Sequence, residues 1–413
     1  MPEQNLGNNV NSSIEEQHHE ETLDNSALFI TEWKLKADET LEFPIQGREG
    51  TIVVDWGDGS SDTISSGDDA FISHKYTDHG VYIVKVDGTI TRWSCRLDSA
   101  DDDRIRANSK KLIRILSYGK TIFGTYTFWH ACNLVELPKS ESPRFFENSM
   151  EGVFFNASSF NQSINHWDTS NITNMSYMFS DAEHFNQPLD KWNTSNVTNI
   201  SCMFQYARRF NQPLDKWDTS NVTSMYEVFC GARSFNQPLD NWNTSNITHM
   251  SRMFCGARSF NQPLDNWNTS NVTDMIAMFS EAASFNQPVD NWNTSNVTSM
   301  FGMFSKAASF NQPLNGWNTS NVTNMRLMFS GAESFNQPLN DWDTSNVEDM
   351  SCMFRCAESF NQPLDRWNTS KVTNMESMFS FARSFNQSLD NWDTSNVTDK
   401  SDMFAYSGLD KDD

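Results

Sequence analysis

Catalysis needs an acid, a base or a nucleophile brought into one place, and a metal centre needs clustered His, Cys or carboxylate groups. This 413-residue chain offers few candidates. Its eight histidines, among them His74, His79, His130, His166 and His249, fall into no pattern with Ser, Cys or Asp, so no enzyme activity is expected. Asp55 and Asp58, in "VDWGDGS", come nearest to a cation site, but turn carboxylates more often accept hydrogen bonds from their own backbone, which is the expectation here. Seven cysteines are an odd number, so at least one thiol is unpaired. Cys230 and Cys255 form one possible pair, and Cys352 and Cys356, one helical turn apart, another. No His or acidic cluster completes a metal site around either pair, so all four read as small buried residues, and neither metal nor cofactor is assigned.

The step from Cys230 to Cys255 is that of the whole C-terminal region. "FNQPLDNWNTSN" starts at Phe235, again at Phe260, and with one change (Val289) at Phe285. Phenylalanine recurs at this step without a gap from Phe160 to Phe385, tryptophan from Trp167 to Trp392, and a second phenylalanine from Phe179 to Phe404. These are ten units of a stacked repeat, and no unit of that size buries its apolar side alone. Within one unit the apolar positions are Phe185, Leu189, Trp192, Val197, Ile200, Met203, Phe204 and Ala207. The last four are spaced i, i+3, i+4, i+7, which predicts a short helix capped by Ser195 and Asn196. "FNQPLD" reads as a short extended segment. The expected fold is α+β and repetitive, a right-handed leucine-rich-repeat-type solenoid of 25-residue coils over 160–407 with the Phe and Trp columns stacked inside.

Other columns read as structural. Asn161 to Asn386 is unbroken, and Asn171 to Asn396 is broken only by Lys371; such amides can satisfy backbone groups and bond along the stack. Thr169, Thr194, Thr219 and their successors form a hydroxyl ladder, for which backbone bonding is the ordinary use. Glycosylation sequons at Asn193 and Asn196 follow from the repeat itself. Ser163 and Ser388 replace the proline of the inner units, and Lys400 replaces Met in the last one, so the terminal unit reads as a polar cap. Two adjacent columns refuse to repeat, one through Ser176, Ser201, Tyr226, Ser251, Ile276 and Phe301, the other through Tyr177, Cys202, Glu227, Arg252, Ala277 and Leu327. On a helix they would lie about 100° and 200° from the buried stripe, on one outer face. Tyr226, Ile276, Phe301 and Leu327 place apolar groups there and are the candidate ligand-binding residues.

The front of the chain differs. Residues 1–26 are polar and are expected to be disordered, and 408–413 form an acidic tail. Residues 27–99 alternate in polarity with Gly and Asp turns, which predicts a small β-sandwich. "VDWGDGS" followed by "HKYTDHGVYIVKV" resembles the polycystic-kidney-disease-type (PKD) domain, an immunoglobulin-like sandwich. Residues 100–159 read as degenerate leading repeats, with Phe128-Trp129 echoing the Met-Phe pair and Met150, Val153 and Phe154 continuing its register. With 30 Lys+Arg against 53 Asp+Glu the net charge is −23, which argues against nucleic acid and anionic lipid as partners. No apolar run is long enough for a membrane span, and the N-terminus shows no signal core.

The repeat "FNQPLDNWNTSNVTNM" followed by "MF" and "A" resembles that of BspA-like leucine-rich-repeat surface proteins, including mycoplasma lipoprotein repeats. That resemblance implies a surface-displayed or secreted protein that binds host matrix or other cells. The sequence departs from it in lacking a signal peptide, a lipobox cysteine and a sorting tail. The expectation is a non-catalytic adhesion protein with protein or cell-surface partners. The alternative is a structural or ice-binding rod built on the Thr and Asn ladders.

Overall fold

The computed structural model describes residues 27–65, 72–96 and 103–410. The expectations for 1–26 and for the last residues of the acidic tail lie outside them. Alternating polarity builds the front into strands, β1 (Phe29–Leu35), β2 (Glu39–Phe43), β3 (Ile45–Asp55), β4 (Ser61–Ile64), β5 (Ile72–Tyr76) and β6 (Gly80–Trp93). An antiparallel sheet runs β4-β3-β6-β1, and β2 pairs with β5 in a second, two-stranded sheet. Phe29, Trp33 and Trp56 from the first sheet's side meet Phe43 from the second, at ring distances of 6.1, 5.8 and 6.3 Å.

This domain extends further than its sequence pattern suggests. After the short helix α1 (Asp103–Ser109), β7 (Leu112–Ser117) pairs antiparallel with β1 as a fifth strand. The stretch expected to open the repeats therefore belongs partly to the sheet, because Leu112 and Ile115 are fully buried against the sheet's core. β8 (Ile122–Phe123) then pairs parallel with β6, and β9 (Arg144–Phe145) parallel with β8. One hydrophobic core runs from Phe29 to Met403.

The repeat region contains neither the helix nor the strand that the spacing predicts. The residue after each variable Ser176-type position, and the one four further on, has positive φ: Tyr177 57° and Asp181 57°, Cys202 57° and Tyr206 53°, Glu227 54° and Gly231 69°. Left-handed residues every fourth position end any helix before it starts. Instead, N–H groups bond alternately within the unit and across to the next. Met178 donates to Met175 O and Ala182 to Phe179 O, closing tight turns, while Met175, Tyr177, Phe179 and Asp181 donate to Asn199, Ser201, Met203 and Gln205 of the following unit at 2.8–2.9 Å. A parallel bridge joins equivalent residues such as Asn174 and Asn199. The i, i+3, i+4, i+7 spacing thus reflects two successive turns that each return a side chain to the interior.

Side chains complete the stack. Phe235 and Phe260 lie 6.0 Å apart with planes 7° from parallel, Trp217 and Trp242 6.4 Å apart at 2°, and Phe229 and Phe254 5.7 Å apart at 9°. All ten repeat tryptophans are buried. Each indole N–H after the first donates to the leucine-type carbonyl of the preceding unit, as Trp267 does to Leu239 at 3.0 Å. Trp167 has no such neighbour and faces the Tyr118 hydroxyl instead. Asn161 Oδ1 accepts the Asn186 N–H at 2.9 Å and the Gln187 amide at 3.2 Å. Asn196, expected to cap a helix, donates to Ser170 O at 2.7 Å. Thr169 is buried and donates to Asn193 O at 3.0 Å, so this ladder faces inward. Lys400, in the column that is Met or Ile elsewhere, is exposed and donates to Thr394 Oγ1 at 2.9 Å.

The same hydrogen-bond pattern reaches back into the leading segment. Met150, Gly152 and Phe154 donate to Asn174, Ser176 and Met178, which places Met150, Val153 and Phe154 in the expected register. One unit earlier, Tyr126, Phe128 and His130 donate to Glu151, Val153 and Phe155. Phe128 therefore lies under Phe154, at 5.4 Å, and Thr127-Phe128 fills the Met-Phe position. The match is displaced by a single position from the expected Phe128-Trp129, because the step from this unit to the next is longer by one than the steps that follow it.

Candidate functional site

The backbone places each variable side chain by conformation rather than by a helix face. Every residue of the second variable column has positive φ, so its Cβ leaves the backbone in the same direction in each unit, and burial within the column follows side-chain size and the neighbours that cover it. In the second variable column Arg252 is exposed and Leu327 half-buried, whereas Cys202, Glu227 and Ala277 are buried. In the first, Tyr226 is 37% exposed, Ile276 and Phe301 are half-buried, and Ser251 between them is buried. Ile276, Phe301 and Leu327 occupy three consecutive units, with Ala277 donating to the Phe301 carbonyl. Tyr226 stands apart from them by the intervening Ser251 unit.

Tyr226 belongs to a different group. Its hydroxyl is pushed up to about 12 by its hydrogen bond to Glu227 and by burial. Glu227, buried, also accepts from Gln205 and pairs with Arg252 at 3.1 Å. Tyr206, 43% exposed, lies beside Cys230 and Glu227. Sequence reasoning misses Tyr206, although its column (Asp181, Tyr206, Gly231, Gly256, Glu281, Lys306) varies as freely as the columns of Tyr226 and Leu327. It also misses a charge pattern in which an acid in one unit meets a base in the next. Glu183 with Arg208 (3.3 Å), Glu227 with Arg252 (3.1 Å), Glu281 with Lys306 (2.9 Å) and Asp341 with Arg366 (2.8 Å) each join equivalent positions of neighbouring units.

The turn carboxylates of the sheet domain have protein partners. Asp55 Oδ1 accepts the Gly57 N–H at 2.9 Å. Asp58 Oδ1 accepts the Ser60 N–H at 2.9 Å and its hydroxyl at 2.6 Å, and Oδ2 meets His74 Nε2 at 2.7 Å. Partial desolvation pushes the Asp58 carboxyl up, but the Ser60 and His74 hydrogen bonds outweigh it and hold the group at about 2. His74 stacks on Trp56 at 4.8 Å, and Tyr76 donates to Trp56 O at 2.9 Å, so these residues brace the turn. Among the described residues no three His, Cys, Asp or Glu side chains gather in a metal-ligating group, and no helix is long and apolar enough to cross a membrane.

An antiparallel sheet domain leads into stacked units whose interior repeats and whose surface carries both repeating columns, such as that of Asn196, and varying ones, such as that of Tyr226, which makes this a periodic repeat protein. The chain belongs to the family described as mycoplasma protein of unknown function, DUF285, whose model matches residues 147–242, 223–332 and 302–412. No curated protein and no solved structure matches it.

Proposed function

We propose that this protein is a non-catalytic binding or adhesion protein, displayed at a cell surface or secreted, that presents its repeats to protein or cell-surface ligands. The repeats are read as a right-handed solenoid of the leucine-rich-repeat type, similar to BspA-like surface proteins, and the front domain as an immunoglobulin-like sandwich of the PKD type. One observation carries the reading: invariant aromatic, Asn and Thr columns hold the stack, while exposed positions such as Tyr206, Tyr226 and Arg252 vary from unit to unit. Side chains freed from the repeat are free to make contacts, and Tyr and Arg are the types that dominate binding interfaces. The net charge of −23 disfavours nucleic acid. The alternative, a structural or ice-binding rod, would rest on the exposed Thr198-type and Asn196-type columns, since the Thr169-type hydroxyls are buried and bonded to backbone.

The test is to screen immobilised matrix proteins and intact cells for binding, then to compare a Tyr226→Ser, Ile276→Ser, Phe301→Ser chain with the wild type. A folded triple variant is expected to bind at least about tenfold more weakly, a loss of about 1.4 kcal/mol. Equal affinity would remove these columns from the site, and no binding to any surface would remove the adhesion reading.

A further inference from the structure

Two of the seven cysteines are placed unlike the others. Cys230 and Cys255 occupy the same column of the third and fourth units, and the backbone holds that column in register. Tyr206 N–H donates to the Cys230 carbonyl, and Gly231 N–H to the Cys255 carbonyl, both at 2.6 Å. Parallel neighbours held in register stand about 5 Å apart, within the roughly 4.4–6.8 Å between Cα atoms that a disulfide spans. Each cysteine is followed by a glycine, at φ 69° and 70°, so the two Cys-Gly steps share one conformation and send their side chains the same way. A Cβ built on Gly256 meets nothing nearer than 3.6 Å, which leaves room for the small rotation that joins two stacked thiols. The two thiols lie close enough to shift each other's acidity in opposite directions, Cys230 up and Cys255 down. None of the other five cysteines has a cysteine in the same column of an adjacent unit.

We propose that Cys230 and Cys255 form a modification site, a dithiol that a hydroperoxide oxidises to a disulfide tying the third unit to the fourth. The two thiols have different roles. Cys255 is half-buried and within reach of a small oxidant, whereas Cys230 is 6% exposed. The Cys230 thiol, as hydrogen-bond donor, and the nearby Arg252 guanidinium together outweigh desolvation and lower the Cys255 thiol; the same contact and burial raise Cys230. Cys255 is therefore the attacking thiolate and Cys230 the resolving thiol. The Cys255 sulfur attacks one peroxide oxygen, the O–O bond breaks, and the alkoxide leaves and takes up the proton lost by Cys255, giving a sulfenic acid and an alcohol. The Cys230 sulfur then displaces the sulfenic oxygen, which departs as water with the Cys230 proton. Two thiols and one hydroperoxide become one disulfide, one alcohol and one water. The sulfur pair loses two electrons and the peroxide gains them.

The experiment treats the full, folded chain with a small excess of hydrogen peroxide, removes the peroxide, unfolds the chain in the presence of iodoacetamide to block remaining thiols, and maps peptides without reductant. The expected product is a Cys230–Cys255 linked peptide, about 2 Da lighter than its two reduced halves, with the other five cysteines alkylated. A Cys230→Ser chain should stop at a Cys255 sulfenic acid that dimedone traps, and a Cys255→Ser chain should leave Cys230 alkylated only after unfolding. Tryptophan emission of each variant checks that the aromatic stack is intact. Wild-type chain in which Cys255 passes to sulfinic acid while Cys230 stays free, or in which the link forms only in denaturant, overturns the proposal, as does failure of either thiol to react.

Discussion

In the sheet domain most core aromatic rings meet edge to face; in the repeats each column of rings lies parallel. Phe29 meets Trp93 at 74°, Phe43 meets Trp56 at 85° and Trp93 meets Phe123 at 89°, whereas Phe160 and Phe185 are 5° from parallel and Trp267 and Trp292 also 5°. Both geometries are favourable for rings offset by about 4.5–7 Å, so energy alone does not choose between them. Symmetry does. Identical residues carried from one unit to the next by a near-translation keep their orientation, so they can only stack. An edge-to-face contact requires two unlike positions, which a domain with one copy of everything supplies. The sheet domain is therefore held by particular pairs and the repeat by an average over many equal ones.

The largest effect that tests this contrast comes from matched tryptophans. Trp33→Ala and Trp267→Ala each remove a buried indole, exposed by 0% and 4%, and each should cost about 3–5 kcal/mol. Their unfolding curves should differ in shape. Loss of Trp33 should shift the melting of the sheet domain as one step, whereas loss of Trp267 should split the repeat transition in two, since each unit contacts only its neighbours. A single sharp transition for Trp267→Ala, read by circular dichroism and tryptophan emission together, would show that the stack is not divisible in this way.

A smaller effect separates two glycines in one column. Gly231 and Gly256 both have φ near 70°, a conformation that costs a residue with a Cβ about 1–2 kcal/mol. A Cβ on Gly231 would stand 2.3 Å from the Tyr206 ring, while one on Gly256 would clash with nothing. Gly231→Ala should therefore destabilise more than Gly256→Ala and should change the exposure of Tyr206 to a fluorescence quencher. Equal losses in urea titrations would mean that Tyr206 moves aside freely.

The smallest effect lies back in the sheet domain. Asp58 titrates at about 2 in the folded protein against 3.8 for a free side chain. A depressed carboxylate stabilises the fold above the unfolded value, and that contribution is lost as pH falls from about 3.8 through about 2. Asp58→Asn should flatten this part of the acid-unfolding curve of the sheet domain and leave the repeat transition where it was. An unchanged acid limb would show that the Ser60 and His74 contacts do not hold in solution.

The parts of this fold that repetition dictates were legible in the sequence. The Phe and Trp columns are inside because a side chain that recurs at every unit packs on itself at every unit, and Met150, Val153 and Phe154 could be placed by extending that rule. Turn chemistry was legible at Asp55 and Asp58 for the same kind of local reason. The helix was misread because Ile200, Met203, Phe204 and Ala207 have helical spacing, and spacing does not reveal that Cys202 and Tyr206 have positive φ. Gly152, Gly231, Gly256, Gly302 and Gly331 do fall at these left-handed positions in other units, which was the available sign. The same misreading put Cys202 and Glu227 on an outer face and overlooked Tyr206. Strand β7 was missed because its partner β1 lies at the far end of the sheet domain's sequence, beyond any periodic signal.

The alternating hydrogen bonds of the turn columns make the stack electrically polar. The peptide groups joining 201 to 202, 203 to 204 and 205 to 206 each receive a bond from the preceding unit at the carbonyl and give one to the following unit at the N–H. Their dipoles point one way and outnumber the bonds that run back, such as Thr198 N–H to Thr173 O and Ser234 N–H to Arg208 O, so partial positive charge gathers at the C-terminal face, the reverse of an α-helix. The acid-then-base ion pairs from Glu183–Arg208 to Asp341–Arg366 are oriented in the same sense. In the tenth unit Asp410 Oδ2 accepts the Tyr406 N–H at 2.6 Å, a carboxylate set against the donor side of the turn columns.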